Sequence, residues 1–331
     1  MRKRMSVFGG NANPALTAAV CKALGIEQGK ATVSKFSDGE TRVEILENVR
    51  GTECFIVQPT CAPQNDNLME LMTLIDAMKR ASAKSVTAVF PYFGYARQER
   101  KSGRSPITAA LLAAQLEVAG VDRVLALDLH TDVIAGFFRP PVTVDTLSAI
   151  PVFRPILREL KAASGGKITV VSPDAGGIKR ARAYAKILEA PIAIIDKRRD
   201  NPNESEVMNL IGDVNGRICL IVDDMIDTAG TLCKAAAALK ANGATEVYAI
   251  ATHAVLSGAG FKNIAEGPLS KVWVTDSTPI EARLHAALLD TSELNSAHML
   301  AAKLQILTVA DHLADAIKRV HFEDSVSSTL E

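Results

Sequence analysis

The stretch RICLIVDDMIDTAGTLCKAA, residues 217–236, decides the fold. Residues 218–222 are continuously apolar, which is typical of a strand that is covered on both faces. A polar turn and a segment with helical periodicity follow, so the stretch predicts one strand of a parallel sheet and the helix after it. Asp223 and Asp224 stand where this strand is expected to end.

The same pattern of strand, turn and helix recurs along the chain. The other short apolar runs are CFIVQP (54–59), SVTAVFPY (85–92), RVLALDL (123–129), KITVVSP (167–173), APIAIIDK (190–197), EVYAIATH (246–253) and LQILTV (304–309). Segments with helical periodicity lie at 67–81, 107–119, 231–241 and about 311–320. The predicted fold class is therefore α/β, with doubly wound, parallel central sheets.

Two halves of the chain resemble each other. In one half, FIVQPT, a loop, a helix ending MKRASAK and then SVTAVF parallel LIVDDM, a loop, a helix ending LKANGAT and then EVYAIA in the other. This similarity predicts two similar domains, and a cluster of prolines between residues 140 and 155 places their boundary near residue 147. We expect an N-terminal domain (1–146), a C-terminal domain (147–303), and a terminal strand, helix and tail (304–331) that packs back on the N-terminal domain.

The composition excludes several classes of partner. Of 331 residues, 48% are hydrophobic and 22% charged, as in a globular protein, and Lys plus Arg equal Asp plus Glu at 37 each. Balanced charge leaves no global field that would attract nucleic acid or an anionic membrane. The sequence contains neither a signal peptide nor a run of about 18 apolar residues, so we expect a cytoplasmic protein with no membrane partner.

The turn after the aspartate pair has the composition of an anion site. It consists of Asp227, Thr228, Ala229, Gly230 and Thr231, and the predicted helix begins near its last residue. Backbone N–H groups and threonine hydroxyls can converge there on one phosphate, which glycine lets approach closely. Because the turn lacks the lysine of GxxxxGK[ST], it suits a single terminal phosphate better than a triphosphate.

The aspartate pair adds acceptors for hydroxyl groups beside that turn. A pentose 5-phosphate offers a phosphate at one end and vicinal hydroxyls at the other, so it fits both features. The alternative is that Asp223 and Asp224 are ordinary strand-end carboxylates and that Asp227 is a helix N-cap. The complete arrangement DDxxDTxGT favours the sugar-phosphate interpretation.

Other candidate residues also stand at predicted strand ends. His130 and Asp174 could together hold Mg²⁺ against phosphate oxygens, mostly through retained waters, although a lone histidine is usually structural. The loop DKRRDNPNESE (196–206) is either a solvated charge run or a lid whose Lys197 and Arg199 stabilise a phosphoryl transition state. FPYFGYARQERKSGR (90–104) is either an exposed loop or a cap on a purine, and FSDGE (36–40) alone indicates a turn.

These motifs also occur together in a fixed order. FSDGE, ENVRG, NDNLMEL, PYFGYARQE, DLH, GFF, VSPDAGG, DKRR and VDDMIDTAGTLCKAA resemble class I ribose-phosphate pyrophosphokinase, also called phosphoribosyl pyrophosphate synthetase. The resemblance covers about residues 8–318. It implies a phosphoribosyltransferase-like fold and the transfer of the β,γ-diphosphoryl group of ATP to the C1 hydroxyl of ribose 5-phosphate, with Mg²⁺, for nucleotide biosynthesis.

The resemblance also implies a role for each matching residue. Asp223, Asp224 and the turn 227–231 would bind ribose 5-phosphate, Lys197 and Arg199 would be catalytic, and His130 and Asp174 would support magnesium. The implied ATP site consists of Phe36, Asp38, Gly39, Glu40, Arg97 and Gln98. Its FSDGE turn would come from a neighbouring subunit of a homo-oligomer, a hexamer built from dimers.

Regulation is the aspect in which this sequence departs from the family. Asn48, Arg50, Ser325 and Ser327 resemble positions of the family's phosphate/ADP regulatory site. However, the loop RKSGRSPITA is shorter than usual, the segment 280–300 is expanded, and the terminus SVSSTLE lacks an aromatic residue. These departures put feedback inhibition and hexamer stability in doubt.

Two rival functions share part of this pattern. A phosphoribosyltransferase has the same sugar-phosphate loop but normally one such domain, so the second α/β half and the FSDGE and KRR motifs favour the synthetase. A non-catalytic regulatory homologue of the synthetase is the other rival. The presence of Lys197, Arg199, His130 and the complete DDMIDTAGT argues against it.

Overall fold

The fold is described here from a computed structural model, which covers residues 4–198, 207–289 and 294–326. The chain divides into two compact units. The first comprises Met1–Pro151, Ser277–Pro279 and Thr308–Glu331, and the second comprises Val152–Asp276 and Ile280–Leu307.

Strands and helices alternate along most of the described chain. The strands are β1 (Met5–Gly9), β2 (Ala31–Lys35), β3 (Thr41–Ile45), β4 (Glu53–Val57), β5 (Ser85–Phe90), β6 (Arg123–Leu127), β7 (Thr143–Leu147), β8 (Ile168–Ser172), β9 (Ile192–Arg198), β10 (Val207–Ile211), β11 (Ile218–Ile226), β12 (Glu246–Ala254), β13 (Lys271–Thr275) and β14 (Leu304–Leu307). The helices are α1 (Pro14–Leu24), α2 (Gln64–Arg80), α3 (Thr108–Ala119), α4 (Ile150–Ser164), α5 (Ile178–Leu188), α6 (Gly230–Ala241), α7 (Gly260–Glu266), α8 (Glu281–Leu289), α9 (Leu294–Lys303) and α10 (Ala310–Phe322), with a 3-10 helix at Asp132–Phe137.

Each unit is built on one mainly parallel sheet. In the first unit the strand order is β1-β4-β5-β6-β7, and all neighbours are parallel. In the second unit the order is β10-β9-β8-β11-β12-β13-β14, and only the edge pair β9–β10 is antiparallel. The prediction of an α/β fold with doubly wound parallel sheets is confirmed, whereas the antiparallel edge strand was not foreseen.

The two sheets have equivalent topologies. Strand order β1-β4-β5-β6-β7 in the first unit corresponds to β8-β11-β12-β13-β14 in the second, and the hairpin β2–β3 corresponds in chain position to β9–β10. In this correspondence β4 and the loop after it are equivalent to β11 and the aspartate-rich turn, as the sequence similarity of the two halves indicates. The two units are therefore similar domains, as predicted.

The last helix of each half belongs to the other unit. Helix α10 follows β14 of the second unit but lies in the first, where it contacts α1, whereas α4 follows β7 of the first unit and lies mostly in the second. The predicted terminal segment 304–331 is thus divided, because β14 pairs with β13 and only the residues after it belong to the first unit.

No helix in the described part of the chain is long and apolar enough to cross a membrane.

Helix α10 should contribute strongly to the stability of the first unit. Its buried residues Leu313, Ala314 and Ile317 recur at helical spacing, and Ile317 is 0% exposed. We expect Ile317→Ala to lower the free energy of unfolding by about 2–5 kcal/mol, because it leaves a cavity in a closely packed core. Urea unfolding followed by circular dichroism measures this change.

The matched control is Lys318→Ala, which alters the next, exposed residue of the same helix. This variant should stay within about 0.5 kcal/mol of the parent protein. Equal unfolding curves for the Ile317→Ala and Lys318→Ala variants would show that α10 does not pack as described.

Candidate active site

The two aspartates lie near the end of a nine-residue strand. Strand β11 has nine residues, and its pairing with the parallel strand β8 stops at Ile221, whereas its pairing with β12 continues to Ile226. Asp223 and Asp224 therefore project beyond the end of β8, at the carboxyl edge of the sheet, where ligands of open α/β sheets bind. They are held within a strand, not in a loop.

A cation not singled out by the sequence lies beside this pair. Nη1 of Arg180, in the first turn of α5, is 3.6 Å from Oδ1 of Asp223 and 3.4 Å from Oδ1 of Asp224. Asp224 is buried, and its backbone N–H donates a hydrogen bond of 2.9 Å to Oδ1 of Asp223. One guanidinium thus partly balances two adjacent carboxylates.

The Arg180 guanidinium offsets only part of the free-energy cost of burying the two neighbouring carboxylates. Burial and the neighbouring Asp224 carboxylate raise the pKa of Asp223 from its ordinary 3.8 to about 7, while Arg180 acts in the opposite direction. A group with such a pKa changes charge near neutral pH, as is frequent at functional sites. The pair can accept hydrogen bonds from ligand hydroxyls when it is ionised.

The turn after β11 leads into the N-terminus of α6. Helix α6 begins at Gly230, and its N-cap residue is Ala229, which has the left-handed backbone conformation (φ 59°) and is buried. Because the N-cap residue is an alanine, it has no polar side chain that could cap the helix. The first N–H groups of α6 can therefore donate to an anion, which the helix dipole also attracts.

The predicted ribose 5-phosphate residues are thus brought together in the second unit. Asp223 and Asp224 lie on β11, and Asp227, Thr228, Ala229, Gly230 and Thr231 follow it without interruption. The hydroxyl-bearing residues Thr228 and Thr231 are exposed, so a ligand can reach them.

The predicted ATP residues lie in the first unit. FSDGE is the turn of the hairpin β2–β3, where the N–H of Phe36 donates to the carbonyl of Glu40 and Gly39 has φ 95°. Phe36 is half exposed and has the Arg42 guanidinium 5.8 Å from its ring centroid. Arg97 and Gln98 are exposed in the loop after β5, and the Gln98 carbonyl accepts from the N–H of Ala109 at 3.2 Å.

The remaining predicted residues are only partly described. His130 is an exposed residue after β6 in the first unit, and Asp174 is an exposed residue after β8 in the second, where its Oδ1 accepts from the N–H of Gly177 at 2.9 Å. The backbone of Lys197 lies in β9, paired with Met208, while Arg199 lies outside the described residues. Of the regulatory candidates, Ser327 also lies outside them, and Asn48 Oδ1 accepts from the N–H of Arg50 at 3.0 Å.

Arg180 was missed because its sequence context is ordinary. KRARAYAK, residues 179–186, is typical of the solvated face of an amphipathic helix, and nothing in it distinguishes Arg180 from Lys179 or Arg182. A signal was nevertheless present, since a helix that follows strand β8 directly must begin at the same edge of the sheet as Asp223.

Known proteins resemble this chain over nearly its whole length. Residues 5–120 match the family model described as the N-terminal domain of ribose phosphate pyrophosphokinase, and residues 198–330 match the phosphoribosyl synthetase-associated domain. A ribose-phosphate pyrophosphokinase of Neisseria meningitidis serogroup A is 53% identical over 98% of this chain and 94% of its own length. A ribose-phosphate pyrophosphokinase of Vibrio cholerae is 53% identical over 98% of both chains.

A solved structure extends the similarity to the fold. The crystal structure of phosphoribosylpyrophosphate synthetase from Mycobacterium smegmatis superposes with a TM-score of 0.86 and is 38% identical, covering 97% of this chain and 99% of that one. Sequence and fold therefore agree on one family.

The electrostatic cost of Asp223 predicts a stability change that depends on pH. Because the pKa of Asp223 is higher in the folded protein than in the unfolded chain, ionising this group lowers the free energy of unfolding. This loss is absent below the unfolded pKa of 3.8, grows as pH rises and is complete above about 7. We expect Asp223→Asn to raise Tm, and to raise it more at about pH 8 than at about pH 5. Calorimetry at both pH values measures the two differences.

The control is Asp213→Asn, which removes an exposed carboxylate from the same unit. It should give nearly equal, small changes at both pH values. A Tm of the Asp223→Asn variant that is lower than the parent's at about pH 8 would contradict the raised pKa.

Proposed function

The chain belongs to the ribose-phosphate pyrophosphokinase family, and on that premise we propose the role of each site residue in the reaction. The reaction transfers the β,γ-diphosphoryl group of ATP to the C1 hydroxyl of ribose 5-phosphate. The hydroxyl oxygen bonds to the β-phosphorus, the bond from that phosphorus to the oxygen bridging it to the α-phosphorus breaks, and AMP leaves. Phosphoribosyl pyrophosphate is the other product.

One observation carries the assignment of the sugar site. The N-terminus of α6, whose N-cap residue is an alanine, begins six residues after Asp224, the second of two carboxylates near the end of the preceding strand. The N–H groups of the turn and the hydroxyls of Thr228 and Thr231 bind the 5-phosphate, and Asp223 and Asp224 accept hydrogen bonds from the ribose hydroxyls. The C1 hydroxyl is thereby left free to attack the β-phosphorus.

Arg180 has the role of keeping the acidic pair ionised. Its guanidinium lies within 3.6 Å of both carboxylates, and it lowers the pKa of Asp223 against the effects of burial and of Asp224. Without this cation the pair would bind a proton more readily near neutral pH, and a protonated carboxyl oxygen is a donor and a weaker acceptor for a ligand hydroxyl.

Lys197 and Arg199 are the proposed catalytic residues. Phosphoryl transfer depends on positioning and on neutralising charge more than on covalent chemistry, so no nucleophilic side chain is required. The strand β9 delivers Lys197 at its carboxyl end, the edge at which β8 and β11 also end. The two cations stabilise the charge that develops on the transferred group.

Magnesium is the metal that this chemistry requires, and the donor groups fit it. The described residues contain no cluster of three or more His, Cys, Asp or Glu side chains that could hold a metal by themselves. Mg²⁺ keeps several waters and binds substrate phosphates together with one or two protein groups, so a single exposed carboxylate such as that of Asp174 suits it. Asp174 in the second unit and His130 in the first are each proposed to support the metal, which when bound would neutralise phosphate charge.

The first unit has the proposed ATP residues. Phe36 offers an exposed aromatic face, Asp38, Gly39 and Glu40 form the hairpin turn beside it, and Arg97 and Gln98 add polar groups after β5. Supply of the FSDGE turn by a neighbouring subunit, a hexameric assembly, phosphate/ADP regulation and a cytoplasmic location remain predictions from the sequence.

A direct assay tests the function and separates it from its rivals. Purified protein with ATP, Mg²⁺ and ribose 5-phosphate should form AMP and phosphoribosyl pyrophosphate in equal amounts. A phosphoribosyltransferase would instead consume phosphoribosyl pyrophosphate with a base, and a non-catalytic homologue would form no AMP. Either of those results would refute the proposal.

Lys197 should matter for turnover more than for substrate binding. We expect Lys197→Ala to lower kcat by roughly a hundred- to thousandfold with little change in the KM for ribose 5-phosphate, because its partner charge develops in the transition state. Initial rates over a range of both substrates measure the two constants. Lys186→Ala, at an exposed position near the end of α5, is the control and should behave like the parent.

A further inference from the structure

A segment after β12 is bonded to the turn that follows β11. This segment, residues 255–263, continues into the first turn of α7, and it has two side-chain contacts with the turn. Nδ2 of Asn263 donates to the carbonyl oxygen of Thr228 at 2.8 Å, and Oγ of Ser257 donates a short hydrogen bond to Oδ1 of Asp227. Neither residue belongs to a motif that the sequence singled out.

The backbone of the segment is also packed closely against the turn. The N–H of Leu256 donates to the carbonyl of Ile226 at 2.9 Å. At Gly260 an added Cβ would come within 2.9 Å of the carbonyl oxygen of Asp227, so no larger residue fits without displacing the turn. The 255–263 segment therefore forms one wall of the turn.

The segment is itself held in a strained conformation by Arg283. Leu256 has φ 44° although it is not glycine, and it is fully buried. Nη1 of Arg283, on α8, donates to the carbonyl of Val255 at 2.9 Å, and Nη2 donates to the carbonyl of Leu256. The Arg283 guanidinium also lies 5.5 Å from the ring centroid of Phe261.

The turn needs such support because its own residues do not specify its shape. Ala229 has a left-handed conformation that costs free energy in a residue with a Cβ, and as the N-cap residue it offers no side-chain cap to the helix after it. Asp227 moreover places a carboxylate in a turn that is proposed to bind an anion, so the direction of that carboxylate matters. The Ser257 hydroxyl, which donates to Oδ1 of Asp227, helps to set that direction.

We propose that Ser257, Asn263 and Arg283 are positioning residues that hold the turn 227–231 in the shape that binds the phosphate of ribose 5-phosphate. This inference rests on the proposed function of that turn. It also gives the 280–300 region, whose role the sequence leaves open, a part in substrate binding through Arg283. None of the three residues touches the reacting atoms in this proposal.

Ribose 5-phosphate affinity, measured by titration calorimetry on the full chain, tests the proposal. Ser257→Ala and Arg283→Met should each weaken binding roughly three- to tenfold, the effect of losing a hydrogen bond, while the KM for ATP and kcat at saturating sugar phosphate change little. Ser257→Thr keeps the hydroxyl and should restore affinity. Lys262→Ala, beside Asn263 but paired with Glu266, should bind like the parent.

A double-mutant cycle shows whether Ser257 acts through Asp227. If it does, Ser257→Ala has no further effect on affinity when Asp227→Ala is already present. Normal affinity in the Ser257→Ala and Arg283→Met variants, with binding lost in Asp227→Ala, would overturn the positioning role and leave the proposed function intact. Normal affinity in all three variants would overturn the proposed sugar-phosphate site as well.

Discussion

The burial of two adjacent carboxylates against one guanidinium is the interaction on which this site depends. Desolvation of the Asp223 and Asp224 carboxylates costs free energy, and the Arg180 guanidinium offsets only part of it. The pKa of Asp223 therefore rises to about 7. A sequence selected for stability alone would replace such a pair by apolar residues. A function that needs hydroxyl acceptors at this edge of the sheet explains why the pair is there.

The adjoining turn has the opposite electrostatic character within a few residues. The pair is negative, whereas the N-terminus of α6 offers unpaired N–H groups and the positive end of a helix dipole. A ligand with hydroxyls at one end and a phosphate at the other satisfies both surfaces at once. Because one continuous strand and helix bears both surfaces, their spacing is set by the backbone and not by flexible side chains.

Much of the fold and of the sugar-phosphate site could be predicted from the sequence, because both depend on local patterns. Continuous apolar runs indicated the buried strands, and DDMIDTAGT contains its acidic pair and its turn within nine residues. The antiparallel strand β10 and the pairing of β14 within the second sheet could not be predicted, because they depend on long-range packing. Arg180, Ser257 and Asn263 were missed because they contact the site from segments of the chain other than β11 and its turn.

A crystal structure of the protein with ribose 5-phosphate tests the central claim most directly. The phosphate should lie within hydrogen-bond distance of the N–H groups at the start of α6, and ribose hydroxyls should donate to Asp223 and Asp224. A sugar phosphate that binds elsewhere and makes no contact with the turn 227–231 would contradict the claim that the acidic pair and the turn form one binding site.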